Sequence, residues 1–240
     1  CHYRGNRSRG GGVNTASAKW LKSISDIAKA TGALLIVDDI QAGCGRTGNF
    51  FSFENQAIEP DIIVLSKSLS GYGLPFSLVL IKPEYDQWEP GQHNGTFRGN
   101  NHAFVTAKAA LDNFWTSDDL QMSVLSKEKL VRSMLETNLA FTKHKVMGRG
   151  LLLGIETGNS KKASAIKKAC FERKLIIESC GPHDSVIKII PPLTISEENL
   201  VRGIDILCDQ IALDSKNLSN TYVPNVVSEI NGEARHVRCL

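Results

Sequence analysis

The sequence predicts an α/β protein, in which a layer built on a largely parallel sheet is followed by a smaller α+β unit. Continuous apolar runs of strand length occur at ALLIVDD (33–39), DIIVLSK (61–67) and SLVLIK (77–82). Such runs are typical of strands that are buried on both faces. The segment 17–31 precedes them and places its apolar residues at helical spacing. A helix followed by buried strands favours a parallel α/β sheet.

The second unit is predicted from shorter elements that follow the GRG sequence at 148–150. We expect strands over 151–156, 175–179 and 186–190, and helices over 160–173 and 196–212. Two further helices, expected over 101–115 and 119–143, connect the units. The predicted division is a large-domain part, 1–117, a small domain, 118–213, and a polar tail, 214–240.

Composition excludes several function classes. The net charge is +3 over 240 residues with no basic stripe, which argues against a nucleic-acid partner. No apolar run approaches the roughly 18 residues that a membrane span needs, and no signal peptide is visible. The six cysteines show no CxxC spacing, so reduced thiols of a cytoplasmic protein are expected. His93 and His102 lack acidic or cysteine neighbours, and no metal site is expected.

Two carboxylates, Asp38 and Asp39, end the first predicted strand, and Lys67 ends the second. In parallel sheets, ligands bind beyond the carboxyl ends of the strands, so a site is expected there. Strand alternation points the two carboxylates to opposite faces and argues against a pair that shares one proton. A helix cap or an ion pair is the alternative explanation for these acids.

Lys67 enters the Gly- and Ser-rich segment SLSGYGLP directly after an apolar strand. We expect partial desolvation there, which would lower the lysine pKa and favour a nucleophilic amine of the Schiff-base type. The alternative is a solvated lysine at a strand end. Thr96 lies in HNGTFRGNNHA (93–103), where a hydroxyl and backbone amides at a helix start can hold a phosphate; simple N-capping is the alternative. Together an Asp, a Lys and an anion-binding Thr loop are the contacts that pyridoxal 5′-phosphate (PLP) needs.

Four segments resemble class III PLP-dependent aminotransferases in order and spacing over roughly residues 11–212. They are LLIVDDIQAGCGRTG, PDIIVLSKSLSGYGLP, HNGTFRGNNHAFVTA and IKIIPPLTISEENL. Within the class, SKSLSGYGLP and HNGTFRGNN are similar to the diaminobutyrate–2-oxoglutarate transaminases of ectoine and siderophore biosynthesis. The resemblance implies the C-terminal part of the large domain of a fold-type I PLP enzyme, followed by a small α+β C-terminal domain.

The resemblance also implies roles for individual residues. Lys67 would link covalently to PLP and then shuttle a proton at the substrate carbon. Asp38 would keep the pyridine nitrogen protonated, and Gln41 would contact the cofactor near its 3-oxygen. Thr96 would bind the phosphate held by the other subunit, which implies a homodimer.

The implied reaction transfers an amino group between L-glutamate and L-aspartate 4-semialdehyde, giving L-2,4-diaminobutanoate and 2-oxoglutarate. Many relatives carry Arg before the PPL turn to grip a substrate carboxylate, whereas this sequence has Lys188. A lysine cannot make the planar two-bond clamp, so Lys188 is a weaker candidate for that role, and a strand-edge lysine is the alternative. A class III enzyme acting on another ω-amino acid, and a non-catalytic remnant, remain alternative functions.

The start of the sequence departs from the family pattern, which has a segment like VETVQGEGG before VNTAS. Here the residues are CHYRGNRSRGGG. One permitted codon set for them, read after dropping its first base, gives AITVETVQGEGG. We therefore hypothesise that residues 1–11 are out of frame. The family's upstream phosphate cup is absent from this chain, so we expect the chain alone to bind PLP weakly or not at all and to be inactive as an enzyme.

Overall fold

The computed structural model describes residues 2–4, 12–140, 142 and 144–221, with the backbone alone for 2–4 and 215–221. The described residues form two four-stranded sheets. The strands are β1 (His2–Arg4), β2 (Ile36–Asp38), β3 (Ile62–Ser66), β4 (Ser77–Ile81), β5 (Lys145–Arg149), β6 (Leu152–Glu156), β7 (Glu178–Cys180) and β8 (Val186–Ile189). The α-helices are α1 (Ala18–Thr31), α2 (Asn101–Phe114), α3 (Asp119–Asn138), α4 (Ser160–Glu172) and α5 (Glu197–Thr221).

The first sheet has the strand order β1-β2-β3-β4. Strands β2 and β3 are parallel, as the sequence predicts, whereas β1, which also pairs in parallel with β2, was not predicted and lies in the segment hypothesised to be out of frame. The fourth strand confirms the prediction of a strand near 77–82, but it runs antiparallel to β3. The prediction that this strand is buried on both faces is wrong, because Leu78, Val79 and Leu80 are all exposed. Its place at the end of the described strand order explains the difference, since β4 has a hydrogen-bonded neighbour on one side only.

Helix α1 begins and ends where local chemistry predicts. The Ser17 hydroxyl accepts a hydrogen bond from the Trp20 amide, and Gly32 ends the helix in the left-handed region. Only part of the predicted apolar face is buried: Leu21 and Ala28 are enclosed, whereas Trp20 and Ile27 are exposed.

The second sheet has the order β5-β6-β8-β7 and is antiparallel throughout. Helices α3, α4 and α5 cover one face, and the core between them and the sheet includes Val131, Leu135, Ile155, Ile166 and Ile211. The backbone of α5 remains helical to Thr221, beyond the predicted start of the tail at 214. Residues 222–240 lie outside the described residues.

The opposite face of the second sheet contacts the first unit. Val13, Ala42, Leu152, Cys180 and Val186 form a buried cluster on that side. Four cysteines (Cys44, Cys170, Cys180 and Cys208) are free and buried, as predicted for packed thiols, while Cys1 and Cys239 fall outside the described residues. Among the described helices, none is long and apolar enough to cross a membrane.

Candidate active site

The candidate site lies where the parallel strands β2 and β3 end side by side. Asp38 is the last residue of β2 and is in register with Val64 of β3. Lys67 follows the end of β3 at the same edge of the sheet. The structure therefore brings the predicted carboxylate and the predicted lysine to neighbouring strand ends, where parallel sheets bind ligands.

A short 3₁₀ turn, Lys67–Ser70, presents the lysine. Lys67 adopts a left-handed backbone conformation with φ of 55°, which is uncommon for a residue with a side chain. The buried Ser70 hydroxyl donates to the Lys67 carbonyl at 3.3 Å and accepts from the Gly73 amide at 3.0 Å. A Cβ at Gly71 would lie 2.6 Å from the Ala110 Cβ, so the turn rests directly on α2. Strained backbone held by such packing is characteristic of functional sites.

The expected desolvation of Lys67 is wrong, because its side chain is exposed. The carboxyl edge of β3 opens to solvent here, whereas Leu65 just before it is fully enclosed. Burial by the protein therefore does not activate this lysine as a nucleophile. Lys67 is a candidate site residue because it lies beside the end of β2.

The two aspartates have different surroundings, which fits the predicted alternation. Asp38 is half-buried, and its Oδ1 accepts from the Ile40 amide at 3.3 Å. Asp39 is 1% exposed, and its Oδ2 accepts from the Ser52 amide at 2.9 Å. Burial raises the pKa of Asp39, and the hydrogen bond from Ser52 and the charge of Arg149 only partly oppose that rise. Asp38 is therefore the more accessible of the two carboxylates, while Asp39 closes a loop through Ser52.

Gln41 provides the observation that tests whether a polar cofactor fits. Its side chain is half-buried, and its Oε1 atom is enclosed without a hydrogen-bond partner among the described residues. Buried polar atoms in folded proteins are nearly always paired, so this Oε1 of Gln41, three residues after Asp38 in the chain, leaves a place for a hydrogen-bond donor of a ligand. An amide, a carboxylate and an amine at one sheet edge suit the ring of PLP.

The fourth predicted residue, Thr96, lies in the connection between β4 and α2 rather than at a strand end. It belongs to an exposed stretch, 83–102, in which Phe97 is almost fully solvent-accessible. Asn100, within this stretch, caps α2 and accepts from the amides of His102 and Ala103. The cap confirms the N-capping interpretation for Asn100, while the phosphate role of Thr96 stays a prediction.

Lys188 lies inside the second sheet, and the strand-edge alternative is wrong. It is 4% exposed, and β8 is flanked by β6 and β7. Its Nζ atom lies 3.0 Å from Oε2 of Glu178, its partner in the neighbouring strand. Strand alternation places Lys188 on the same face as Val186, which packs with Ala42 next to Gln41. This face is the one that packs against Val13 and Ala42 of the first unit.

Two arginines that were not among the site residues predicted from the sequence join the loop after β2 to the second unit. Arg46 is 8% exposed and donates to the carbonyls of Leu151, at 3.3 Å, and Pro191. Burial lowers the pKa of Arg46 to about 10. Arg149 donates in the other direction, to the carbonyls of Thr47 at 3.2 Å and Ser52 at 2.6 Å. Both arginines stand beside glycines in the sequences GRTG and GRG, and that spacing was the available sign of a tight loop contact.

Comparison with known families gives this geometry its context. The family model of the class III aminotransferases matches residues 8–211. The chain belongs to the class III aminotransferases. A diaminobutyrate–2-oxoglutarate transaminase of Vibrio parahaemolyticus is 52% identical over 201 residues, which are 82% of this chain and 47% of that protein. The chain thus spans about half the length of the curated relatives that it matches.

Solved structures agree with the assignment to this family. Acetylornithine aminotransferase of Elizabethkingia anophelis superposes with a TM-score of 0.75 at 33% identity, over 85% of this chain and 54% of that one. Ornithine aminotransferase of Toxoplasma gondii superposes with a TM-score of 0.79 at 25% identity, over 91% and 51%. That structure is described as having partial occupancy of PLP at its active site. Class III aminotransferases depend on PLP, and the fold class is that of the fold-type I PLP enzymes.

Proposed function

We propose that the protein catalyses the PLP-dependent transfer of an amino group between L-glutamate and L-aspartate 4-semialdehyde, giving L-2,4-diaminobutanoate and 2-oxoglutarate. The observation that carries the proposal is the placement of Asp38 and Lys67 at the ends of the neighbouring parallel strands β2 and β3. The substrate choice is supported by relatives named diaminobutyrate–2-oxoglutarate transaminase, which are 52–53% identical.

The side chains of the site would divide the chemistry as follows. When bound, PLP supplies a protonated ring that accepts the electron pair released at the substrate carbon. The Asp38 carboxylate would hold the ring-nitrogen proton, since an adjacent negative charge favours the protonated form. The exposed Lys67 amine would carry the cofactor covalently and, once released, would move a proton to and from the substrate carbon. The Nε2 group of Gln41 would donate a hydrogen bond to the ring oxygen and so help to orient the ring.

Lys188 is proposed to bind a substrate carboxylate. Its ammonium is already neutralised by Glu178, whose side chain is more than half exposed. A carboxylate substrate would therefore have to displace or share this partner, and a point charge constrains the substrate less than an arginine fork does. This feature leaves room for another ω-amino acid as substrate, which profiling of amino acceptors would detect.

The exposed loop around Thr96 is proposed to reach the phosphate bound by a second subunit of a cytoplasmic homodimer, in a pathway that leads to ectoine or a siderophore. Residues 1–117 and 118–213 are proposed to be the large-domain part and the small domain, with the polar tail beyond. In this chain alone, we infer weak PLP binding and little turnover, since Lys67 is exposed rather than enclosed.

Borohydride trapping tests the cofactor proposal even if binding is weak. The 240-residue chain is incubated with increasing PLP, reduced, digested and analysed by mass spectrometry. We expect the reduced adduct at Lys67 in preference to other lysines, and we expect Lys67→Ala to abolish it. Lys108→Ala provides the matched control, because Lys108 is an exposed lysine on α2 whose loss should leave the labelling of Lys67 unchanged. Labelling spread evenly over the lysines would refute the proposed site.

Release of 2-oxoglutarate from glutamate tests the substrate. Aspartate 4-semialdehyde is expected to be the best amino acceptor, ahead of aldehydes with other chain lengths. Preference for a different aldehyde would keep the class III chemistry and reject the diaminobutanoate product. No turnover with any acceptor, despite labelling of Lys67, would favour the non-catalytic alternative.

A further inference from the structure

The loop that follows β2 is held closed by hydrogen bonds between its own residues. It starts at Asp39, whose Oδ2 accepts from the Ser52 amide at 2.9 Å. Inside the loop, the Cys44 amide donates to the Phe50 carbonyl, and the Thr47 hydroxyl donates to the Ala42 carbonyl at 3.0 Å. The residues flanking Gln41 are therefore held by a compact unit, which we call the 39–52 loop.

This loop is seated on the turn between β5 and β6 in the second unit. The Leu151 amide donates to the Arg46 carbonyl at 2.9 Å. A Cβ at Gly150 would lie 2.5 Å from that carbonyl oxygen, so no larger residue fits without a shift. The turn is fastened from its other side by Glu128 of α3, whose Oε2 accepts from the Gly150 amide at 2.7 Å.

Two arginines cross this contact in opposite directions. Arg46 reaches from the loop to the carbonyls of Leu151 and Pro191, and Arg149 reaches from β5 to the carbonyls of Thr47 and Ser52. No carboxylate pairs with Arg46 among the ion pairs of the described residues, so backbone oxygens are its partners. Five donors on a rigid plane allow one guanidinium to hold two carbonyls, which an ammonium cannot do with the same geometry.

The contact also reaches the segment after β8, the strand whose Lys188 is proposed to bind a substrate carboxylate. Pro191 follows β8, the strand that contains Lys188. We call the turn after β8, residues 190–193, the Pro191 turn. It is also bound by α3, because the Leu193 carbonyl accepts from the Lys127 Nζ at 3.1 Å. Arg46 thus connects the segment that contains Asp38 and Gln41 to the strand end that positions Lys188.

We propose that Arg46 and Arg149 form a reciprocal clasp. The clasp positions the end of β2, which contains Asp38, against the end of β8, which contains Lys188. They are positioning residues: they act through the 39–52 loop and the Pro191 turn, and neither is assigned a contact with cofactor or substrate. The consequence for catalysis rests on the function proposed above. Small displacements between groups that must act together are costly, so a loosened clasp is expected to weaken the site without removing any of its chemical groups.

Hydrogen exchange on the cofactor-free chain tests whether the arginines act as one unit. Arg46→Lys and Arg149→Lys are compared with Arg173→Lys, a matched change at an arginine that pairs with Asp209 on the surface. We expect either clasp variant to raise exchange in both 43–52 and 146–152 by about tenfold or more. The control is expected to match the wild type, in which the two segments should open at the same rate. Faster exchange confined to the segment that contains the substitution would overturn the clasp.

Trapping of PLP at Lys67 tests the consequence for the site. The PLP concentration for half-maximal labelling is expected to rise on the order of tenfold in each single variant. The double variant should resemble the singles, because residues that act as a unit are not additive. Unchanged half-saturation with raised exchange would reject the positioning role. Absence of labelling in the wild type would instead reject PLP binding by this chain, while the exchange result would still decide whether the clasp exists.

Discussion

At the scale of single residues, Asp61 shows how one carboxylate can join three strands. Its Oδ2 accepts from the Leu35 amide just before β2, at 2.8 Å. Its Oδ1 accepts from the Lys82 Nζ just after β4, at 2.9 Å. Asp61 itself immediately precedes β3. Burial raises the pKa of this carboxyl, but the hydrogen bonds from Leu35 and Lys82 outweigh burial and bring it below its ordinary value of 3.8.

Asp61→Ala is expected to lower the free energy of unfolding by about 1–3 kcal/mol at neutral pH, since it leaves the Leu35 amide without its acceptor. The depressed pKa means that the stabilisation is fully present above the unfolded value of 3.8 and is lost as the pH falls through the folded value. Urea denaturation at several pH values should therefore show the wild type losing its advantage below about pH 4.

The control for this experiment is Asp26→Ala, which removes an exposed i,i+4 pair with Lys22 on α1. Such pairs contribute about 0.5 kcal/mol or less, so little change is expected. Equal losses in the two variants, or a difference for Asp61→Ala that does not vary with pH, would contradict the role given to Asp61.

At the scale of elements, α2 supports the lysine turn from behind. It begins after the Asn100 cap, and it contacts the turn at Gly71. A side chain at Gly71 would collide with Ala110 of the helix. The sequence predicts this helix over 101–115, and the structure places it at Asn101–Phe114. Cap chemistry and helical periodicity are local properties, which is why this element could be predicted so closely.

Asn100→Ala should destabilise the chain by about 1 kcal/mol, because the amides of His102 and Ala103 would lose the side-chain acceptor. Asn100→Asp keeps an acceptor at the same position and should cost far less. Urea denaturation of both variants measures the difference. The capping interpretation fails if the aspartate variant is destabilised as much as the alanine variant.

Strand β4 shows where local pattern was insufficient. Its apolar run predicted a strand correctly, but neither the direction of the strand nor its exposure follows from composition. Whether an apolar strand is covered depends on what packs on its faces, and those contacts come from residues remote in sequence. Antiparallel pairing with β3 and exposure of Leu78 and Leu80 are therefore tertiary facts.

At the scale of the whole molecule, the described chain exposes many large apolar side chains on the first unit. They include Trp20, Tyr72, Leu78, Leu80, Trp88, Phe97 and Val105. Large exposed apolar patches indicate an interaction surface or a tendency to associate. An exposed strand such as β4 adds the possibility of edge-to-edge pairing.

We expect the chain to self-associate as its concentration rises, and we expect the double variant Leu78→Lys/Leu80→Lys to shift this association to higher concentration. Lysine on an edge strand opposes pairing through charge. Sedimentation velocity measures the effect, and Leu213→Lys on α5 is the control for adding charge at an exposed leucine. A chain that stays monomeric throughout, or a control that matches the double variant, would contradict this account.

The sequence by itself determined the α/β class, the order of most elements and the placement of Asp38 and Lys67 at the ends of parallel strands. Those features depend on periodicity, on caps and on residue types at strand ends, all of which are written in short segments. Only the tertiary structure decided that Lys67 is exposed, that Lys188 is buried against Glu178, and that Arg46 reaches Pro191. Solvent exposure and hydrogen bonds between distant segments depend on how the two units pack, and no local pattern specifies that packing.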